Sequence, residues 1–561
     1  MGRATVWRKA WLEAAVGASL LVLGAGPVVG AMVGPVRTQS GLVSGAPSRW
    51  VPSVAVFKGI PFAAPPVGKL RFRPPQPPRP WHGVHAADRF GPVCPQLGRP
   101  AAQRAAMSEN CLFLNIWTAA PSSAPRRPVF VWIFGGGFQG GAGSDPQFDG
   151  AGLARKGLVV VTFNYRLGPL GFLATPALDA ESPHHVSGDY GLLDMIAVLD
   201  WVHRNIAAFG GDPSRVTIAG QSSGGGSVGF LDMSPLAAGL FQRAITESHQ
   251  RDPHDPELRY LSTSYRTKKN AERQGIAYAK AHGATTLQEL RAMPWRRLLE
   301  GSTASDESVD TGSPSKPPLF RPVIDGWVLP HDYSQTYQAG LQTNVSYLVG
   351  NNRDESGAVP DTAFAPLREL SRTTGPRGGA PEPVVTLAQY RAAARRKFGP
   401  MTGEFLQLYP AATDQEAALA NDQRVRDNSR ISTFLWAELR SRHMSEPIFT
   451  YFWDHAPPGP SHDLRGAFHG SEISYVFDNL YATKRPWTAT DRRIAQVMSS
   501  YWVSFAASGN PNGKGVPYWP PFDANRQVLM ELGDHFGPIP VASSQARLEF
   551  WRRYFSTQTA W

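Results

Sequence analysis

A serine set among glycines follows a short apolar run in Arg215 to Gly224 (RVTIAGQSSG). A hydroxyl on a sharp strand-to-helix turn stands clear of its neighbours and can attack an acyl carbon, and glycines on either side keep side chains from colliding there. The chain beyond can run as a helix to Asp232 before Ser234-Pro235 stops it. Such a helix begins behind the serine and favours negative charge as it develops. In a chain with 55 glycines a bare G-x-S-x-G says little. The strand, turn and helix around it make Ser222 a candidate nucleophile.

Acyl transfer also needs N–H donors where the tetrahedral oxyanion forms, each worth about 3 kcal/mol. Pro128 to Phe138 (PVFVWIFGGGF) offers a second buried strand, then Gly135-Gly136-Gly137, whose backbone can turn its N–H groups toward one point. The competing reading of that triplet is a flexible glycine loop.

These segments need a sheet to carry them. Leu192, Ile196, Leu199, Val202 and Ile206 recur at the spacing of a helix face packed on a sheet. His203 on that helix reads as structural, and His184-His185 as surface residues. Ser346 to Gly350 and Ile448 to Trp453 read as further strands. Arg73 to Trp81 and Ala456 to Ser461 are proline-rich surface connections, and Ser302 to Pro318 and Leu370 to Val384 are polar loops.

The N-terminus carries Arg3, Arg8 and Lys9, an uncharged stretch from Ala14 to Ala31, and small residues at Val29 and Ala31. This is the pattern of a signal peptide over residues 1–31, cleaved after Ala31, followed by one catalytic domain over 32–561 in an exported, secreted or periplasmic protein. The alternative is an uncleaved membrane anchor, which Gly24, Gly26 and Pro27 weaken. Cys94 and Cys111 are the two cysteines of the chain, and a disulfide between them fits an oxidising compartment; two separate buried thiols are the alternative. Neither has metal-type spacing. The net charge of +11 is spread along the chain, with short runs at Lys268-Lys269 and Arg395-Arg396-Lys397 that read as solvated faces. No motif supports nucleic-acid binding, and the charge leaves open an anionic substrate or an acidic cell surface.

From about Gly34 to Asn512 the chain resembles the type-B carboxylesterases, the cholinesterase-like branch of the α/β-hydrolases. The likeness rests on Phe57 to Phe72 (FKGIPFAAPPVGKLRF), Glu109 to Trp117 (ENCLFLNIW), Val159 to Phe172 (VVVTFNYRLGPLGF) and Gly188 to Gly225 around the serine. It implies an α/β-hydrolase fold: a large, mostly parallel, twisted central sheet flanked by helices, with inserted helical segments between Gln250 and Thr343 and between Val359 and Arg430 forming the pocket walls. Residue by residue, Ser222 matches the nucleophile, and Gly136, Gly137 and Ser223 match the backbone donors of the oxyanion hole. Glu355 in GNNRDESG matches the triad acid and His469 in GAFHGSEISYVF the triad base. Cys94 and Cys111 match a short-range disulfide pair. Asp354 is a rival acid, and His455 and His462 are rival bases in proline-rich surroundings that read as solvent-facing.

The implied activity is hydrolysis of a small-molecule carboxylic ester through an acyl-enzyme, with no metal or organic cofactor. The chain order Ser222, Glu355, His469 agrees with that fold. Two positions depart from the family pattern. Phe134 stands where many relatives carry histidine, and Gln221 replaces the glutamate usual before the nucleophile, which disfavours cationic choline-type esters. Lactone, carbamate or amide hydrolysis shares the same chemistry. A non-catalytic adhesion or binding protein on the same fold is the reading from another class.

Overall fold

The computed structural model describes residues 30–98, 106–261, 264–311, 316–355, 386–460 and 462–561. The expected signal segment, apart from Gly30 and Ala31, and the expected loop Leu370 to Val384 lie outside these residues. Among them no helix is long and apolar enough to cross a membrane.

Eleven strands form one sheet. In chain order they are β1 (Ala46–Pro47), β2 (Ala55–Pro61), β3 (Phe113–Thr118), β4 (Arg127–Ile133), β5 (Val159–Phe163), β6 (Gly211–Gln221), β7 (Arg243–Glu247), β8 (Ser346–Asn352), β9 (Ile448–Trp453), β10 (Val528–Leu532) and β11 (Phe536–Pro540). Their order in space is 11-10-9-8-7-6-4-5-3-2-1. The seven from β5 across to β10 are parallel, and the strands at both edges are antiparallel. The sequence shows why. Parallel strands covered on both faces read as unbroken apolar runs, as in the fully buried Val159–Phe163 (VVVTF).

Helices α1 (Tyr190–Asn205), α2 (Ser223–Met233), α3 (Leu387–Phe398), α4 (Asp414–Ser441), α5 (Ala489–Ser508) and α6 (Gln545–Ser556) surround the sheet. The apolar stripe foreseen on α1 is buried, including Leu199 and Val202. A short 3-10 turn, Ile206–Phe209, continues it into a left-handed Gly210. The inserted helices α3 and α4 form a second apolar cluster with α6 through Tyr390, Phe398, Trp551 and Tyr554. Thus the expected mostly parallel sheet with helical insertions is present.

The chain reverses its direction of winding at β4, with β5 on one side and β6 on the other. In open α/β sheets a crevice opens at the carboxyl ends of the strands at such a switch point. Ile133 pairs with Gly220, Gln221 with Glu247, Glu247 with Gly350 and Asn352 with Trp453, so five strand ends lie side by side at this edge.

Cys94 and Cys111 are joined in a disulfide, with sequence separation 17. Gln96, two residues after Cys94, donates from Nε2 to the Gly141 carbonyl at 2.9 Å and accepts from the Gly141 N–H at 2.9 Å. Peptide mapping without reduction should find Cys94 and Cys111 linked, and Cys94→Ser should cost about 3 kcal/mol of stability in the chain-entropy view. Two freely alkylated thiols would reject the pairing.

Candidate active site

Ser222 lies between β6 and α2 with φ 59° and ψ −128°. A non-glycine residue held at positive φ carries about 1–3 kcal/mol of strain, which surrounding contacts must hold in place. Here the Ser222 N–H donates to the Glu247 carbonyl at 2.9 Å, and its own carbonyl accepts from Gly226 at 2.9 Å. The glycines follow from crowding. A Cβ on Gly224 would stand 2.1 Å from the Ile133 carbonyl oxygen, and one on Gly220 would stand 2.5 Å from Gly224.

The glycine triplet after β4 abuts this turn. A Cβ on Gly135 would sit 3.0 Å from Ser222 Cβ, so the triplet and the serine are brought together. Gly136 takes φ 120° and Gly137 φ 65°. The Gly137 N–H donates to Ser223 Oγ at 2.8 Å, a side-chain contact that the sequence did not reveal. Phe134 is buried and stacks on Tyr165 with ring centroids 4.4 Å apart. It packs into the core under the triplet.

His469 and Glu355 meet through Nδ1 and Oε2. Glu355 follows β8, and its other oxygen accepts from the Asn352 N–H at 2.9 Å. His469 lies on a loop tied to the same strand end: Asn352 Nδ2 donates to the Phe468 carbonyl at 2.8 Å. Burial opposes charge on both partners, but their mutual attraction outweighs it, lowering Glu355 and raising His469 relative to free side chains. His469 Nε2 stands 3.2 Å from Gln221 Nε2. An ionised carboxylate can only accept, so the Glu355 contact places the ring proton on Nδ1 and makes Nε2 the acceptor of the neutral ring. Among the described residues no hydrogen bond joins Ser222 Oγ to His469 Nε2, a bond that often tightens only with substrate bound.

The rivals lie elsewhere. Asp354 is buried; it binds Arg426 at 2.6 Å and Arg353 at 3.0 Å, and accepts from the Ala467 N–H at 2.9 Å. Its contacts fasten the His469 loop to the end of β8 without touching the imidazole. His462 is exposed, as expected. His455 corrects the sequence reading: it is buried between Asp534 at 2.6 Å and Asp491 at 3.0 Å, because those two residues from later segments close around it. His184, His185 and His203 are at the surface.

Beneath His469 lies a carboxyl pair that sequence reasoning missed. Glu247 ends β7 and takes a hydrogen bond from Trp502 Nε1 at 3.0 Å, while Glu472 takes one from Asn352 Nδ2. Burial raises both acids, helped at Glu247 by the charge of Glu472 and at Glu472 by the charge of Glu355. One oxygen of each, Glu247 Oε2 and Glu472 Oε1, is buried without another partner among the described residues. A proton shared between the two oxygens satisfies both. A carboxylate closing an apolar strand, as in Arg243–Glu247 (RAITE), was the available signal.

Residues 33–551 match the Carboxylesterase family. The fumonisin B1 esterase of Sphingopyxis macrogoltabida is 37% identical over 524 residues, covering 89% of this chain and 86% of that protein. The para-nitrobenzyl esterase of Bacillus subtilis (strain 168) is 32% identical over 515 residues, 88% of this chain and 94% of its own. A solved PNB esterase structure superimposes with TM-score 0.71 at 30% identity, covering 92% of this chain and 99% of that one. With the α/β-hydrolase sheet and these matches together, the chain belongs to the carboxylesterase family and is a carboxylic ester hydrolase.

Proposed function

We propose that Ser222, His469 and Glu355 form the catalytic triad, with the N–H groups of Gly136, Gly137 and Ser223 as the oxyanion hole. The observation that carries this reading is the Glu355–His469 pair at the carboxyl edge of the sheet, held in the proton-accepting tautomer beside the Ser222 turn. His469 Nε2 takes the Ser222 proton as Oγ attacks the ester carbonyl. Glu355 orients the ring and stabilises the imidazolium. The Gly137 N–H exchanges the Ser223 hydroxyl for the oxyanion as the tetrahedral intermediate forms. The alcohol leaves with the proton from His469, and water activated by the same nitrogen hydrolyses the acyl-enzyme. Small neutral esters suit this site, and lactones share its chemistry. A purely adhesive role would not call for an intact acid–base pair. Residues 1–31 act as a cleaved export signal before a single catalytic domain over 32–561, which agrees with the Cys94–Cys111 disulfide.

An organophosphate should label the protein once, on Ser222, as read by peptide mass. Labelling at another residue would move the nucleophile. kcat/KM on a neutral ester should rise with pH, since only neutral His469 accepts a proton. Because Glu355 raises that imidazole, the midpoint should lie above the ordinary histidine value of about 6.5. Glu472 adds to the rise, so Glu472→Gln should move the midpoint downward. A wild-type midpoint below 6.5 would contradict the pairing.

A further inference from the structure

The inserted helices help enclose a cavity of about 250 Å³, and its described walls include none of Ser222, Glu355 or His469. Four cations line it, Arg259, Arg396, Lys397 and Arg424, against two carboxylates, Glu257 and Asp310. The run Arg395-Arg396-Lys397 is therefore more than a solvated face: its last member turns inward on α3. Lys397 Nζ donates to Glu257 at 3.1 Å, and Arg251 Nη1 reaches the other oxygen of that carboxylate at 3.3 Å. Arg424 comes third. Its Nε bonds Asn421 at 3.0 Å, but its Nη1 stands 3.7 Å from Glu257, longer than a hydrogen bond, on a residue only 8% exposed.

One carboxylate thus serves three cations, and the wall is net positive. A buried guanidinium whose fork falls short of its counter-ion suits an incoming carboxylate, which it can grip bidentately. Tyr260 and Tyr554 give the same cavity apolar surface. Arg251 connects it to the reaction centre: it also bonds Asp255 at 3.2 Å, and its charge acts on both Glu355 and His469.

We propose that this cavity binds a small organic acid, its carboxylate held by Arg424 and Lys397 and its carbon skeleton lying against Tyr260 and Tyr554. The acid arrives as a free anion, the kind of product ester hydrolysis releases, or as a charged group on the acyl part of an ester. The second route rests on the Ser222 reaction proposed above; the first does not.

Glutarate is the probe for the free anion, titrated by calorimetry into wild type, Arg424→Gln and Arg424→Lys. Mono-4-nitrophenyl glutarate is the probe for the charged ester, with its kcat/KM divided by that for 4-nitrophenyl pentanoate. Arg424→Gln should weaken glutarate binding, lower that ratio, or both, by about tenfold, as expected for a lost charge-assisted hydrogen bond, and Arg424→Lys should recover part of the loss. A loss in calorimetry identifies the free acid as ligand, and a loss confined to the ratio identifies the acyl-borne charge. Should Arg424→Gln fail to fold by thermal melting, Lys397→Gln takes its place with the same readings. Wild type that neither binds glutarate saturably nor favours the charged ester overturns the proposal, as does a folded Arg424→Gln that matches wild type in both. An enzyme inert toward both esters yet binding glutarate would instead refute the Ser222 reading and leave the cavity assignment standing.

Discussion

Ser222→Ala is expected to lower kcat on a 4-nitrophenyl ester by on the order of a millionfold, the scale on which loss of a serine nucleophile acts. The geometry explains why no neighbour should substitute. Ser223 is fully buried with its hydroxyl bonded to the Gly137 N–H, so its oxygen already has a partner inside the loop. The variant should fold, because the bonds that hold the turn, Ser222 N–H to Glu247 and Gly226 N–H to the Ser222 carbonyl, belong to the backbone. Residual turnover above about a hundredth of wild type, with an unchanged melting temperature, would reject Ser222 as nucleophile.

Glu355→Gln should lower kcat by about ten-thousandfold, since an amide can hold the wrong histidine tautomer and cannot balance an imidazolium. Asp354→Asn makes the informative contrast. Asp354 meets Arg426, Arg353 and the Ala467 N–H, so its loss should appear first in stability, by about 1–3 kcal/mol, with a much smaller effect on turnover. Thermal melts and kcat measured on the plateau above the His469 transition separate the two. If Asp354→Asn were the crippled variant at equal stability, the acid role would pass to Asp354. Equal and mild losses in both would remove the acid from this strand end altogether.

Much of the sheet was legible because parallel strands are apolar without interruption. Arg215 to Gly220, Ser346 to Gly350 and Ile448 to Trp453 all fall within observed strands, and the turn at Ser222 has the expected strand before it and helix after it. The proposed acid and base were not legible from spacing. Glu355 and His469 lie 114 residues apart, and nothing local says that β8 and the loop after β9 converge; only the family resemblance pointed to them. The Glu247–Glu472 pair stayed hidden for the same reason. His455 misled because proline-rich flanks suggest exposure, whereas Asp491 and Asp534 come from later segments to enclose it. Gln221 was seen as a missing charge, and its contact with His469 Nε2 emerged only in three dimensions.

The disulfide also bears on rate. Cys94 is two residues from Gln96, whose amide grips Gly141 from both sides, and Gly141 follows closely on the triplet proposed for the oxyanion hole. The covalent link therefore ends one side chain away from the loop that must stay still while charge develops. Enzyme made under reducing conditions is therefore expected to turn over more slowly even where it remains folded, a difference that kcat before and after oxidation would read.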